Sequence, residues 1–143
     1  MRAPTANAPM EYFEPNFLEE ALVVLDRFGD RAHVLAGGTL LGPRLRASVP
    51  APAALVNLKR IRGLADIAFE DGTVRIGALA TARILATHPL VLEHAPLVAL
   101  AAATVGAPAI RTSATIGGNV LWGDSVADMA CALLACDAGR AEH

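Results

Sequence analysis

Two pairs of adjacent glycines, Gly37–Gly38 in "VLAGGTLLG" (34–42) and Gly117–Gly118 in "TSATIGGNV" (112–120), constrain this chain more than any other feature. Neither a helix nor a strand gains from such a pair, because glycine gives up the most conformational freedom on folding. Each pair follows a short apolar run, and each is followed by a polar residue, Thr39 or Asn119. The pattern predicts a strand and then a tight turn at both places. A turn with two glycines can aim successive backbone N–H groups into one concavity, and such a nest attracts anions, phosphate above all. A helix beginning just beyond it adds further unpaired N–H groups. Two such loops facing each other would suit a diphosphate. Two ordinary tight turns would carry the same residues.

The common phosphate loops do not fit. Gly37 and Gly42 have the spacing of G-x-x-x-x-G-K-S/T, but Pro43–Arg44 stand where Lys and Ser/Thr are needed. No G-x-G-x-x-G string is present, which argues against a standard dinucleotide turn.

Bulk properties narrow the class. A chain of 143 residues is one domain by length, able to bury roughly 70% of its unfolded surface. The net charge of −2 gives no general attraction to nucleic acid or anionic lipid. Basic residues are scattered, and the nearest to a cluster is "KRIR" at 59–62, read as a solvated loop or strand end rather than an anion site. The longest charge-free run, 95–110, contains two prolines and is shorter than the ~20 residues of a membrane span. The N-terminus shows no apolar signal-peptide region. Cys131 and Cys136 are spaced as neither a metal pair nor a disulfide framework and are read as buried structural cysteines. The four histidines form no ligand pattern, so the chain is read as cytoplasmic, soluble and metal-free.

Along the chain, "EPNFLEEALVVLDRFGD" predicts a helix, with Asn16 as cap, Glu19 closing a capping box, apolar residues at 18, 21, 22, 25 and 28, and Gly29 as the stop. Residues 32–36 read as a buried strand and about 41–47 as a short helix. Residues 53–61 read as another strand, and 65–80 as a hairpin turning at Asp71–Gly72. Thr81 is a candidate cap for helical stretches broken near Pro89 and Pro96. "SATIGGN" reads as strand then turn, and 125–138 as a last helix capped by Ser125, with Met129, Leu133 and Leu134 at core spacing. Without strict βαβ alternation the mixture predicts an α+β fold.

"AGGTLL" at 36–41 together with "PAIRTSATIGGNV" at 108–120 resembles the FAD-binding (medium) subunit or domain of molybdenum hydroxylases of the carbon monoxide dehydrogenase and xanthine dehydrogenase types. The likeness extends through "LVNLKRI" and "VRIGALAT". It implies a PCMH-type FAD-binding fold, with an N-terminal lobe over 1–54 and a second lobe over 55–143 that is incomplete at its C-terminal end. It implies FAD as cofactor. Leu35, Ala36, Gly37, Gly38, Thr39 and Leu40 match the first FAD loop, and Thr115, Ile116, Gly117, Gly118 and Asn119 the second. Asp128 matches a downstream acidic FAD contact. Departures from the pattern are Asp124–Ser125 where Ser-Pro is common, Ala109 and Thr112 where Gln and Asn are frequent, and Val105 where some relatives place an aromatic beside the flavin.

The resemblance implies an electron relay: from iron–sulfur (2Fe–2S) clusters on a small subunit, through FAD here, to an acceptor, with substrate oxidised at a molybdopterin-binding large subunit. The chain itself carries no cluster-type cysteine motif and no acid/base or nucleophile constellation, so no catalytic side chain is assigned. Members of the family are about twice as long. The alternative is a shortened, non-enzymatic assembly module that keeps the fold without flavin turnover.

Overall fold

A computed structural model describes residues 9–47, 51–122 and 128–139. The chain divides into two compact units, 1–62 and 63–143. The boundary expected at 54/55 falls inside a strand of the first unit, because the residues on both sides of it pair in one sheet.

The first unit is built on a parallel sheet of β1 (Glu11–Phe13), β2 (Ala32–Leu35) and β3 (Ala54–Asn57), in the order β1-β3-β2. Helix α1 (Leu18–Phe28) connects β1 to β2, and α2 (Leu41–Ala47) precedes β3. Local βαβ alternation therefore exists here, although the whole chain is α+β. Every residue of β3 is buried, as a central strand requires. β2 lies at the sheet edge with His33 and Val34 exposed, so the strand read as buried is only half so.

Helix α1 ends at Gly29, whose φ of 52° is left-handed, as expected. Its start differs from the expectation. Phe17 occupies the cap position without a side-chain bond, and Glu20 rather than Glu19 reaches back to accept from the Asn16 N–H at 2.9 Å. The helix begins at Leu18, which makes Glu20 its third residue, the position that can fold back. Of the predicted apolar face Ala21 is buried, while Leu18 and Leu22 are exposed.

The carboxyl end of the sheet is tied by a buried amide. The Asn57 side chain donates to the Tyr12 hydroxyl at 2.8 Å and to Glu14 Oε1 at 3.0 Å. Its oxygen accepts from the Lys59 N–H at 3.2 Å, opening the 3-10 turn Leu58–Arg60.

The second unit opens with an antiparallel hairpin of β4 (Ile67–Glu70) and β5 (Thr73–Ile76). Asp71 and Gly72 have φ of 50° and 77°, the left-handed pair that a two-residue turn between twisted strands demands. Among the described residues six helices follow: α3 (Ala82–Leu85), α4 (Pro89–His94), α5 (Pro96–Thr104), α6 (Pro108–Arg111), α7 (Ile116–Trp122) and α8 (Asp128–Ala135). Proline begins α4, α5 and α6, where its missing N–H has no partner to lose. Thr81 caps α3 by accepting from the Ile84 N–H. The core gathers Leu85, Val91, Val98, Ala102, Ile116 and Met129. α5 packs against α3, α4 and α8.

Two expectations for α8 are corrected. Met129 and Ala132 are buried, but Leu134 is 78% exposed. Cys131 and Cys136 are exposed free thiols, not core residues. The helix turns the 129/132/133 stripe inward, which leaves 131 and 134 outside, and it ends before Cys136. Ser125, expected to cap this helix, lies outside the described residues.

Gly77 shows what holds the second unit's loops together. Its N–H bonds the Asp66 carbonyl at 2.8 Å, and Leu79 N–H bonds the Leu64 carbonyl at 2.7 Å. A Cβ on Gly77 would run into the Leu64 carbonyl oxygen and lie 2.9 Å from the Asp66 nitrogen. Backbone cannot swing aside as a side chain can. Gly77→Ala should therefore cost about 1–3 kcal/mol, the range for an overpacked site. Urea unfolding monitored by circular dichroism should show a lowered midpoint.

Candidate functional site

Apart from Asp128, the residues singled out from the sequence fall into two contiguous segments, one in each unit, and they are built differently. Leu35 ends β2, and Ala36–Leu40 form the loop into α2. Gly38 has φ of 74°, a conformation that side chains rarely adopt, and a Cβ there would sit 3.0 Å from Leu35 Cδ1. The Gly38 carbonyl accepts from the Gly42 N–H at 2.9 Å. Among the described residues, the N–H groups of Gly37, Gly38, Thr39 and Leu40 have no acceptor. This loop presents a run of unengaged donors.

The second segment is not the strand and turn that were expected. Thr115 makes a single antiparallel bridge to Thr81, and Ile116 through Trp122 are helix α7. Gly117 and Gly118 lie in its first turn. The Thr115 hydroxyl accepts from the Gly118 N–H at 3.2 Å, which makes Thr115 the helix cap. Asn119 N–H bonds the Thr115 carbonyl at 3.0 Å. Ile116 N–H bonds the Ala80 carbonyl at 3.0 Å, and Gly117 N–H bonds the Ala78 carbonyl at 2.8 Å. The N–H groups of Ile116, Gly117, Gly118 and Asn119 thus have protein acceptors, and no anion nest is left among them.

The glycine at 117 answers to packing. A Cβ there would lie 2.8 Å from the Ala78 carbonyl oxygen and 2.9 Å from Ala78 Cβ. The strand-like residues before the pair form no strand, because Thr115 makes only one bridge before the helix begins. What this segment offers a ligand is side-chain chemistry. Thr115 is buried, and Asn119 Oδ1 is buried without a hydrogen-bond partner. An amide oxygen accepts and does not donate. It suits a hydroxyl or N–H of a ligand and does not suit a phosphate.

Asp128 is exposed in the first turn of α8, which packs against α7. The Asp124–Ser125 departure lies outside the described residues. Arg111, quoted in the sequence but given no role there, donates through one guanidinium nitrogen to the Val105 carbonyl at 3.3 Å and the Gly106 carbonyl at 2.8 Å. It closes the turn from α5 to α6, where Gly106 has φ of 47°. Among the described residues no group of three or more His, Cys, Asp or Glu could hold a metal ion, and no helix is long and apolar enough to cross a membrane.

A family model described as the FAD binding domain in molybdopterin dehydrogenase matches residues 8–139. The chain is 38% identical over 128 residues to subunit alpha of the 6-hydroxypseudooxynicotine dehydrogenase complex of Paenarthrobacter nicotinovorans, covering 90% of this chain and 43% of that one. It is 36% identical over 113 residues to the carbon monoxide dehydrogenase medium chain of Hydrogenophaga pseudoflava, covering 79% and 39%. A chain of the reconstituted CO dehydrogenase from Oligotropha carboxidovorans superposes with a TM-score of 0.80 at 32% identity, over 85% of this chain and 43% of that one. The chain spans less than half the length of the relatives it matches.

Gly117→Ala should destabilise the protein by about 1–3 kcal/mol, since the Ala78 backbone must move. Gly118→Ala should stay within about 1 kcal/mol of wild type. There the new Cβ meets only the Thr115 hydroxyl, at 3.0 Å, and the helix-propensity gain over glycine offsets weakening of the cap. Chemical denaturation of the two variants side by side checks the ranking.

Proposed function

Because the chain belongs to the family of FAD-binding domains of molybdopterin dehydrogenases, with FAD as that family's cofactor, we propose that it is the FAD-binding part of a molybdenum hydroxylase-type oxidoreductase. FAD, when bound, supplies the electron-carrying chemistry. The protein's part is to bind and orient it. The observation that carries the reading is the row of unengaged N–H groups at Gly37–Leu40 around a left-handed Gly38. A diphosphate is the part of FAD that such a row accepts. Leu35 to Leu40, Thr115 to Asn119 and Asp128 are proposed as its contacts, with Thr115 and Asn119 acting through side chains.

The same reading makes the chain a relay and not a substrate site. A molybdopterin-binding large subunit and a 2Fe–2S small subunit are the proposed partners, with electrons passing through FAD to an acceptor. Exposed Leu100, Leu121 and Leu134 on the second unit give it apolar surface that a multi-subunit assembly would cover. That surface also favours the second reading, an assembly module without flavin turnover. Colour separates the two: a purified chain with a flavin absorbance band in the visible supports the first, and a stable colourless protein supports the second.

FAD at about 100 times its Kd should stabilise the chain by about 2.7 kcal/mol, read as a raised thermal midpoint. Gly38→Ala should weaken FAD binding at least about tenfold, about 1.4 kcal/mol, because alanine resists the left-handed backbone. Asp128→Asn should weaken binding by a smaller factor. Flavin fluorescence titration measures both. Wild-type affinity in Gly38→Ala would show that this loop does not approach the cofactor.

A further inference from the structure

The run "KRIR" at 59–62 gains a second meaning from the sheet register. β2 and β3 are parallel neighbours, with Leu35 opposite Asn57. Both strands therefore end at the same edge, about 4.8 Å apart. Beyond Leu35 comes the glycine loop with its unengaged N–H groups. Beyond Asn57 comes the turn Leu58–Arg60, which packs beside β2. Asn57 fixes that turn, since its buried side chain accepts from the Lys59 N–H and is itself anchored on Tyr12 and Glu14. Lys59 and Arg60 are exposed, and neither has an ion-pair partner among the described residues.

The edge also carries acids, and their place matters. Glu14 follows β1, on the far side of β3 from the glycine loop. That is about 10 Å, or two strand spacings, away from β2. Its carboxylate is held by Tyr12 and Asn57. Glu19 and Glu20 start α1, which also follows β1. The cations thus stand next to the loop and the carboxylates stand a strand further off. Countercharge strengthens the hold of N–H donors on a diphosphate, and Ile116 to Asn119 have no free backbone N–H group to give.

We propose that Lys59 and Arg60 are anion-binding residues of this chain, supplying positive charge to the diphosphate held at Gly37–Leu40. This rests on the FAD reading above. Arg31 is the internal control. It precedes β2 at the opposite edge of the sheet, about 13 Å from the loop by strand rise, beyond the screening length of about 8 Å at physiological salt.

The test is an FAD titration by flavin fluorescence on the wild-type chain, the double variant K59Q/R60Q and the control R31Q, each at low and at physiological salt. Thermal melts of the unliganded proteins check that all three fold alike. The double variant should bind on the order of tenfold more weakly at low salt, the scale of two partly exposed charge-assisted contacts, with a flatter salt dependence. R31Q should match wild type. Wild-type binding with an unchanged double variant, or equal losses in R31Q, would overturn the assignment while leaving the FAD reading standing. A wild-type chain that binds no FAD at either salt would overturn both.

Discussion

The second unit depends on a place where three stretches of backbone lie against one another with almost no side chain between them. Residues 64–66 bond 77–79, and 78–82 bond 114–117, through consecutive N–H to carbonyl contacts. Gly77 and Gly117 are the two positions where a Cβ would meet a neighbouring carbonyl. Helices α3 and α7 start from this strip, each capped by a threonine hydroxyl, Thr81 and Thr115. The hydrophobic core, with Ala80, Ala82, Ala114 and Ile116 among its fully or nearly buried members, sits directly on it. Glycine here is a condition of close approach, and its conformational cost is offset by the backbone bonds that approach allows.

This changes what the two glycine pairs mean. They look alike in sequence and differ in what their amides do. At Gly37–Gly38 the amides are left open and one glycine is left-handed. At Gly117–Gly118 the amides are consumed by Ala78 and Thr115, and the glycines belong to a helix. In the first unit, backbone N–H groups are therefore what remains for recognition. In the second, the groups left for recognition are the buried Thr115 and the unpartnered amide oxygen of Asn119.

Much of the local structure was legible from residue types. The Asp71–Gly72 hairpin, the stop at Gly29, the Thr81 cap and the short helix from Leu41 follow from side-chain and backbone preferences acting within a few residues. The α1 start was misjudged by one position because Asn16 and Glu19 form a valid capping box on paper, and only the actual first helical residue decides which glutamate folds back. Cys131 and Leu134 lie outside for a related reason: from Met129 to Ala135 α8 is uniformly apolar, so its sequence does not say which stripe is inside, and Cys136 falls beyond the helix end.

What the sequence by itself determined is the set of elements, the glycine positions and, through the two matched strings, the family and its cofactor. What only the tertiary structure decided is which amides remain free and which charges stand beside them. Ala78 lies far from Gly117 along the chain, and no short-range pattern announces that its carbonyl will take that N–H. Lys59 and Arg60 are solvated, as the sequence leads one to expect, and their place beside β2 follows from the register of β2 against β3, which is set by burial of the whole central strand and not by the residues that follow it. Hydrogen-bond engagement and countercharge are properties of pairs of segments, and a sequence read one window at a time contains only one member of each pair.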